Sequence, residues 1–319
     1  MMDVAENRRV GVLVMSYGTP ESMDQIEEYY THIRRGRPPS AEQLQELKER
    51  YEAIAGGVFP LRENTNKQVE ALQNALDELG GDVRYECFQG LKHARPYIED
   101  GVQQMAEAGI REAVGLVLAP HYSVMSVGSY IERAEKKAEE LGIRMRFAKS
   151  YHTRPLLIEA FTERVREGLG KFPEGADRVE VLFTAHSLPE KILKMGDPYV
   201  DQLLETSRLI AAQAGVTAWR FAWQSAGRTA DPWLGPDILD VMKQLAEEGV
   251  KNILACPIGF VSDHLEILYD LDIEAKRFAS ELGVHFERVR SLNQDPKYIH
   301  LLRDLTLELA AKEPGAYAM

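Results

Sequence analysis

The feature that most constrains the fold is a repetition: the chain carries one apolar-strand pattern twice, with the same sequel each time. Arg9-Val-Gly-Val-Leu-Val-Met-Ser-Tyr-Gly-Thr-Pro20 alternates, becomes continuously apolar and ends in a turn, as a buried strand does. Arg178-Val-Glu-Val-Leu-Phe-Thr-Ala-His-Ser-Leu-Pro189 has the same shape, with Arg9 on Arg178, Val10 on Val179, Leu13 on Leu182 and Pro20 on Pro189. In this register Tyr17 falls on His186. Further on, Gly109–Ala119 is echoed by Gly249–Gly259. Each is followed by a loop, a long amphipathic helical stretch, a Glu-Leu-Gly stop (140–142 and 281–283) and another short strand. One match between apolar strands is commonplace. Two, in order and with the same sequel, imply a duplicated unit.

Strands are expected near 9–16, 83–89, 113–119, 143–149, 178–185, 217–223, 251–258 and 284–290, with helices between them and a last helix over 297–312. The expected fold class is α/β: two Rossmann-like lobes related by internal duplication, each a parallel sheet flanked by helices, with a cleft between them. The first lobe is expected over 8–152 plus the C-terminal helix at about 292–313, and the second over 153–291. The stretch from Tyr17 to the next strand is about twice as long as that from His186 to its next strand. The first lobe therefore carries an insert, about 28–64, holding Tyr29, Tyr30, Arg34, Arg35, Arg37, Arg50 and Tyr51. Ligands of open α/β sheets bind beyond the carboxyl ends of the strands. An aromatic and basic insert there suits a lid over a flat, apolar, anionic ligand.

Composition narrows the function. The 50 Asp and Glu against 38 Lys and Arg give a formal charge of −12, which argues against general nucleic-acid binding. The longest apolar runs, such as Val114–Pro120 and Ile253–Val261, fall well short of the ~20 residues of a membrane span. Asp3 and Glu6 interrupt any signal-like start, so a soluble, cytoplasmic protein is expected. Cys87 and Cys256 both lie in apolar runs and read as buried thiols. No phosphate-binding glycine loop, nucleophile elbow or zinc-type Cys spacing is present.

The polar residues that remain point to metal chemistry. Tyr17 and His186 stand at equivalent strand ends, so facing lobes bring them towards one another; either alone also fits a capping or packing role. Glu266, Asp270 and Glu274 are spaced four apart, which on a regular helix stacks three carboxylates on one face. Such a row costs ~0.2–0.5 kcal/mol per like-charge pair, and an acidic solvated face is the plain alternative. Its start immediately after a buried strand favours the holding or relaying of cations. Putting a metal into a tetrapyrrole requires replacement of its waters and removal of two pyrrole protons, tasks that a neutral His and a carboxylate can share.

Taken together, Met15-Ser-Tyr-Gly-Thr-Pro20, Tyr29-Tyr-Thr-His-Ile-Arg-Arg-Gly36, Thr184-Ala-His-Ser-Leu-Pro-Glu-Lys191, Asp197-Pro-Tyr199, Trp223-Gln-Ser225, Asp231-Pro-Trp-Leu-Gly-Pro236 and Val261-Ser-Asp-His-Leu-Glu266 resemble the ferrochelatase family. Within it they are most similar to the short coproporphyrin III ferrochelatases of Gram-positive bacteria, and the resemblance runs from about Gly11 to the final helix. It implies two chelatase-type lobes and a lyase-class enzyme of haem biosynthesis that inserts ferrous iron into coproporphyrin III to give coproheme. It implies His186 and Glu266 as the metal-handling pair on one face of the macrocycle, with Tyr17 on the other face as axial ligand to the product iron. By the same resemblance Tyr30, Arg34, Arg35, Arg50, Tyr51 and Tyr130 contact the porphyrin and its propionates. Asp270 and Glu274 then belong to an outer cation site, for magnesium or another divalent ion. Ferrous iron is a substrate; no tightly bound prosthetic group is expected, and two Cys cannot hold a four-Cys iron–sulfur cluster. The chain is expected to be a cytoplasmic monomer without membrane insertion, with a coproheme decarboxylase acting after it. One position departs from the pattern: Phe59 stands where a small polar residue touches a propionate in a relative, and Phe59 cannot make that hydrogen bond.

Four other readings stay open: a protoporphyrin IX ferrochelatase, a cobalt or nickel chelatase, a non-catalytic haem carrier and a two-lobed solute-binding protein. The cobalt and nickel chelatases are built on paired His ligands, and here the first-lobe position is Tyr17.

Overall fold

Each expected strand forms, and its side chains divide by parity between two faces. In the computed structural model, which describes residues 8–55, 57–173, 178–227, 229–312 and 317–318, the strands are β1 (Arg8–Ser16), β2 (Val83–Leu91), β3 (Glu112–Val117), β4 (Arg144–Ala148), β5 (Val179–His186), β6 (Trp219–Gln224), β7 (Asn252–Cys256), β8 (His285–Arg288) and β9 (Tyr317–Ala318). Asp3 and Glu6 lie outside the described residues. The helices are α1 (Ile26–Ile33), α2 (Ala41–Ala55), α3 (Pro60–Asp77), α4 (Ile98–Glu107), α5 (Val127–Leu141), α6 (Pro155–Leu169), α7 (Lys191–Lys194), α8 (Tyr199–Ala214), α9 (Ile238–Glu247), α10 (Leu265–Leu268), α11 (Lys276–Glu281) and α12 (Pro296–Ala310). A π-helical turn, Asp270–Ala275, separates α10 from α11.

Two parallel sheets result, with orders β2-β1-β3-β4-β9 and β6-β5-β7-β8. Apart from β9 they have the same topology, the expected duplication. Gly142 and Gly283, closing the two Glu-Leu-Gly stops, adopt the same left-handed conformation, φ +67° in both. Tyr317–Ala318 pairs with Phe147–Ala148, a strand with no sequence signal of its own; it covers the free edge of β4.

The continuous apolar run of β1 is explained by burial on both faces. Val10, Val12 and Val14 join one core cluster, Leu13 and Met15 another. The first cluster is shared by the lobes: it joins β1 and β3 to β5 and β7 through α3, α6, α8 and α12. The second lies under α4 and α5, and a third under α9 and the α10–α11 segment. Helix α12 packs on α3, α6, β3 and β4. We propose on this packing that the first lobe is 8–152 completed by the C-terminal helix of about 292–313, and that the second is 153–291.

The expected long regular helix after β7 is broken. Tyr269 O accepts both the Ile273 and the Glu274 N–H, at 3.2 and 2.9 Å, so the helix widens just where Asp270 is buried at 7% exposure. Burial of that carboxylate against partners from other elements, described below, overrides regular α spacing.

The layers leave little slack. A Cβ at Gly115 would come within 2.3 and 2.4 Å of the Phe147 ring on the neighbouring strand. Gly115→Ala is expected to cost about 1–3 kcal/mol, read as a lower urea midpoint with unchanged slope. An unaltered midpoint would mean that the Phe147 ring has another place to go.

Candidate active site

The two equivalent strand ends carry the chemistry. Tyr17 follows β1, and Gly18, at φ +84°, turns the chain immediately after it. A Cβ there would press on Leu91 and Ala94 at 3.0 and 3.2 Å, so the close turn needs glycine. The Tyr17 carbonyl accepts the His93 N–H at 3.0 Å, and its ring lies 4.6 Å from the His93 imidazole. His93 in turn meets His32, Nδ1 to Nδ1 at 3.0 Å. Burial, with Lys92, His32 and Arg133 nearby, lowers His93 to about 3, so it backs Tyr17 as a neutral ring.

His186 ends β5. Its Nδ1 donates to the Ser187 carbonyl, leaving Nε2 3.4 Å from Glu266 Oε1. Gly259, after β7, packs so closely on this strand end that a Cβ would stand 2.5 Å from the Ala185 Cβ. Glu266 lies in the first turn of α10, and its second oxygen is 3.5 Å from His264 Nε2, so one carboxylate lies between two imidazoles. Gln224, the last residue of β6, donates to the Glu266 carbonyl at 3.1 Å and accepts from Thr184 at 2.8 Å, which ties α10 to the sheet.

These neighbours set the charge states. Burial by itself pushes the His186 imidazolium down, but Glu266, through charge and hydrogen bond, together with the Ser187 carbonyl and Asp270, raises it to about 9. Burial pushes Glu266 up, and His186 and His264 outweigh it, holding the carboxyl well below the usual range. His186 and Glu266 thus form an imidazolium–carboxylate pair at neutral pH, with side chains 31% and 35% exposed. Tyr17, 41% exposed overall, is the opposite case: low-polarity surroundings, then the Glu266 charge and Tyr51, hold its phenol well above the ordinary value. That influence also puts Tyr17 within electrostatic reach of Glu266.

The other expected residues divide. Tyr130 is buried on α5 beneath the Lys92 ammonium, 4.8 Å from its ring centroid, and Tyr17 acts on its phenol. The Arg34 guanidinium stacks 5.7 Å from the Tyr30 ring, and Arg35 is exposed with φ +56°, a left-handed conformation unusual for a residue other than glycine. Tyr51 is a wall residue at 3% exposure, its hydroxyl bonded to Thr19 at 2.9 Å and its ring 4.7 Å from Phe59. Arg50 is engaged across the lobes: it lies 3.3 Å from Asp270 and 4.6 Å from the Tyr269 ring. Asp270 also accepts from Ser225, a residue at φ +57°, and burial with Glu266 raises it to about 6 against the pull of Ser225 and Arg50. Glu274 is half-buried further along. Among the described residues no three His, Cys, Asp or Glu side chains converge as a metal cage. With Asp270 taken by Arg50 and Ser225, the donor set of Asp270 and Glu274 does not fit a resident magnesium ion.

Sequence reasoning missed His264, Ser225, Lys92 and His93. His264 and Ser225 sat inside quoted motifs, and their signal was proximity: His264 precedes Glu266 by two residues, and Ser225 ends Trp223-Gln-Ser. A separate hollow of about 450 Å³, bounded by Glu21, Arg95 and Asp100, gathers no comparable chemistry.

The sequence model of one family, ferrochelatase, matches residues 9–310. The chain belongs to the ferrochelatase family. This ferrochelatase is 47% identical over 309 residues to the coproporphyrin III ferrochelatase of Halalkalibacterium halodurans, covering 96% of this chain and 99% of that one. It is 45% identical to the protein of that name from Bacillus subtilis, covering 94% and 98%. Among solved structures, the sirohydrochlorin chelatase SirB from Bacillus subtilis subspecies spizizenii matches with a TM-score of 0.56 at 11% identity, over 95% of each chain. CbiX, an enzyme of sirohaem biosynthesis in denitrifying bacteria, matches at 0.52 and 12%, over 95% and 100%. At those identities the two share the fold with this chain.

The ion pair makes a direct prediction. The His186 imidazole is expected to titrate near pH 9 in an NMR titration of histidine-labelled protein. In Glu266→Gln, burial regains its weight and the value falls well below that of the wild type. Because the folded value is raised, the stabilisation carried by the His186 proton is fully present below about pH 6.5, while Glu266 stays ionised, and is lost as pH climbs through about 9. Equal titrations in both proteins would separate His186 from Glu266.

Proposed function

We propose that this ferrochelatase inserts ferrous iron into coproporphyrin III, yielding coproheme, with His186 and Glu266 on one face of the macrocycle and Tyr17 on the other. The observation that carries the reading is the imidazole–carboxylate contact of 3.4 Å at one strand end, with a neutral phenol at the equivalent end of the other lobe. The substrate follows the names of relatives at 45–47% identity over nearly the whole chain.

The chemistry then has a simple balance: one dication enters the ring and two pyrrole protons leave. His186 holds its Nδ1 proton on the Ser187 carbonyl, so Nε2 is the exchanging nitrogen: it gives its proton to solvent and then takes one of the two pyrrole protons, the other passing to Glu266. Glu266 offers a second acceptor beside it and stabilises whichever cation is present. Tyr17 stays a neutral phenol at neutral pH, so it does not compete for ferrous iron before insertion, and it is the group available to the product iron. Tyr30, Arg34 and Arg35 suit the rim of a flat tetra-anion, since guanidinium binds carboxylate in a bidentate manner. We read Arg50 and Tyr51 as supporting that rim, and Asp270 and Glu274 as an acidic approach for hydrated iron. Coproheme retains four propionates, so a coproheme decarboxylase is the expected next enzyme. Among the described residues no helix is long and apolar enough to cross a membrane; we read the protein as a cytoplasmic monomer.

Anaerobic incubation with ferrous iron should give faster turnover with coproporphyrin III than with protoporphyrin IX. His186→Ala is expected to lose insertion by roughly 10²-fold or more while still binding haem; insertion at the wild-type rate would remove His186 from the chemistry, and haem binding without insertion by the wild-type chain would favour a carrier. Arg34→Ala should raise KM for coproporphyrin more than for a porphyrin with fewer carboxylates, by about 10-fold against little change. Equal effects on both would show that Arg34 does not read propionates.

A further inference from the structure

Asp197-Pro-Tyr199, a motif with no part in the chemistry so far, spans the lobes. Asp197 Oδ2 accepts from Ser123 Oγ at 2.9 Å and from the Val124 N–H at 2.7 Å, both on the first-lobe loop that leads into α5 and Tyr130. Its other oxygen accepts the Tyr199 N–H at 3.0 Å, at the start of α8. The Tyr199 hydroxyl then donates to the His186 carbonyl at 3.1 Å. The ring that delivers this hydroxyl is 7% exposed and lies 5.9 Å from Trp223. Two further bonds run along the same seam: Gln202 accepts the Tyr122 N–H at 2.7 Å, and His121 Nε2 pairs with Thr206 at 2.9 Å.

Three consecutive residues therefore join the loop below Tyr130 to the strand end that carries His186. The loop involved, 121–126, follows β3 as the segment leading to Glu266 follows β7, so the duplication gives the two loops equivalent places in their lobes. A hydrogen bond to the His186 carbonyl does not touch the imidazole. It fixes the backbone from which the imidazole projects, and the Asp197 carboxylate refers that backbone to the first lobe.

We propose that Asp197 and Tyr199 are positioning residues for metal insertion: they brace the His186 strand end against the Tyr130 loop and so set how the imidazole addresses the ring. The proposal rests on the reading of His186 given above, and its test is built to fail separately from that reading.

Tyr199→Phe removes one hydroxyl and keeps the buried ring. It is expected to lower kcat for iron insertion about fivefold and to raise KM for ferrous iron, leaving the coproporphyrin Kd from fluorescence quenching unchanged. Asp197→Ala should move the same constants further. Asp197→Asn should fall between, because its amide oxygen can hold the loop but its amide nitrogen faces the Tyr199 N–H. A readout that needs no turnover is the His186 imidazole NMR signal, assigned with His186→Ala, which should shift in Tyr199→Phe. Wild-type metal constants together with an unmoved His186 signal would overturn the brace. So would a lower urea midpoint in Asp197→Ala with unchanged kcat in the folded protein. Should the wild-type chain prefer another tetrapyrrole, the substrate reading falls, and the same variants compared on that tetrapyrrole still decide the brace.

Discussion

A carboxylate held against an imidazole at the end of a buried strand is the interaction around which this molecule is arranged. Fully buried, such a pair costs more in lost hydration than its attraction returns, and removing one partner typically costs about 3–5 kcal/mol. Here both side chains keep about a third of their surface, so water screens the pair and those figures are upper bounds. The same access leaves both groups open to solvent. The surroundings hold the geometry that solvent would otherwise loosen: Ser187 fixes the His186 tautomer, Gln224 the Glu266 backbone, and the absent side chain of Gly259 lets the post-β7 loop lie on β5. Ser225 holds Asp270 from a left-handed backbone, a conformation that costs of order 1–3 kcal/mol and is kept where the surroundings over-determine it.

Duplication explains how one topology delivers two unlike groups. Matching strand orders bring the carboxyl ends of β1 and β5 to equivalent places. Divergence then needs only a change in the residue at that end and in what surrounds it. Beside His186 stand Glu266 and Asp270, which favour its protonated form. Behind Tyr17 stands neutral His93, and the phenol keeps its proton. One end thereby holds its proton on an imidazole that gives it up only at about pH 9, and the other keeps its proton on a phenol well above the ordinary range.

Much of this was legible before any coordinates, because it depends on backbone burial. Strands such as Val10–Met15 and Val181–Ala185 are apolar on both faces because both faces are covered, and the register of the two echoes alone aligned Tyr17 with His186. The insert was legible as a length difference. What escaped depends on side chains meeting across long sequence separations. Spacing suggested three stacked carboxylates, yet Asp270 is drawn to Arg50 and Ser225 and the helix widens around it. The ion pair between Arg50 and Asp270 joins residues far apart in sequence, and no spacing announces it. His264 reads as part of a turn until its Nε2 is found beside Glu266.

The distribution of charge follows the same division. The chain carries −12 overall, yet Arg34, Arg35, Lys92 and Arg133 collect on the lobe that presents Tyr17, while Glu266, Asp270 and Glu274 run along the other. A tetra-anionic ring and a hydrated dication attract one another in solution, and association through the propionates would leave the iron at the rim. Opposed fields on the two lobes give each a different place of arrival. On the reading proposed above, contact between them then occurs beside the His186–Glu266 pair, so the acidic surplus and the basic insert serve one ordering of events.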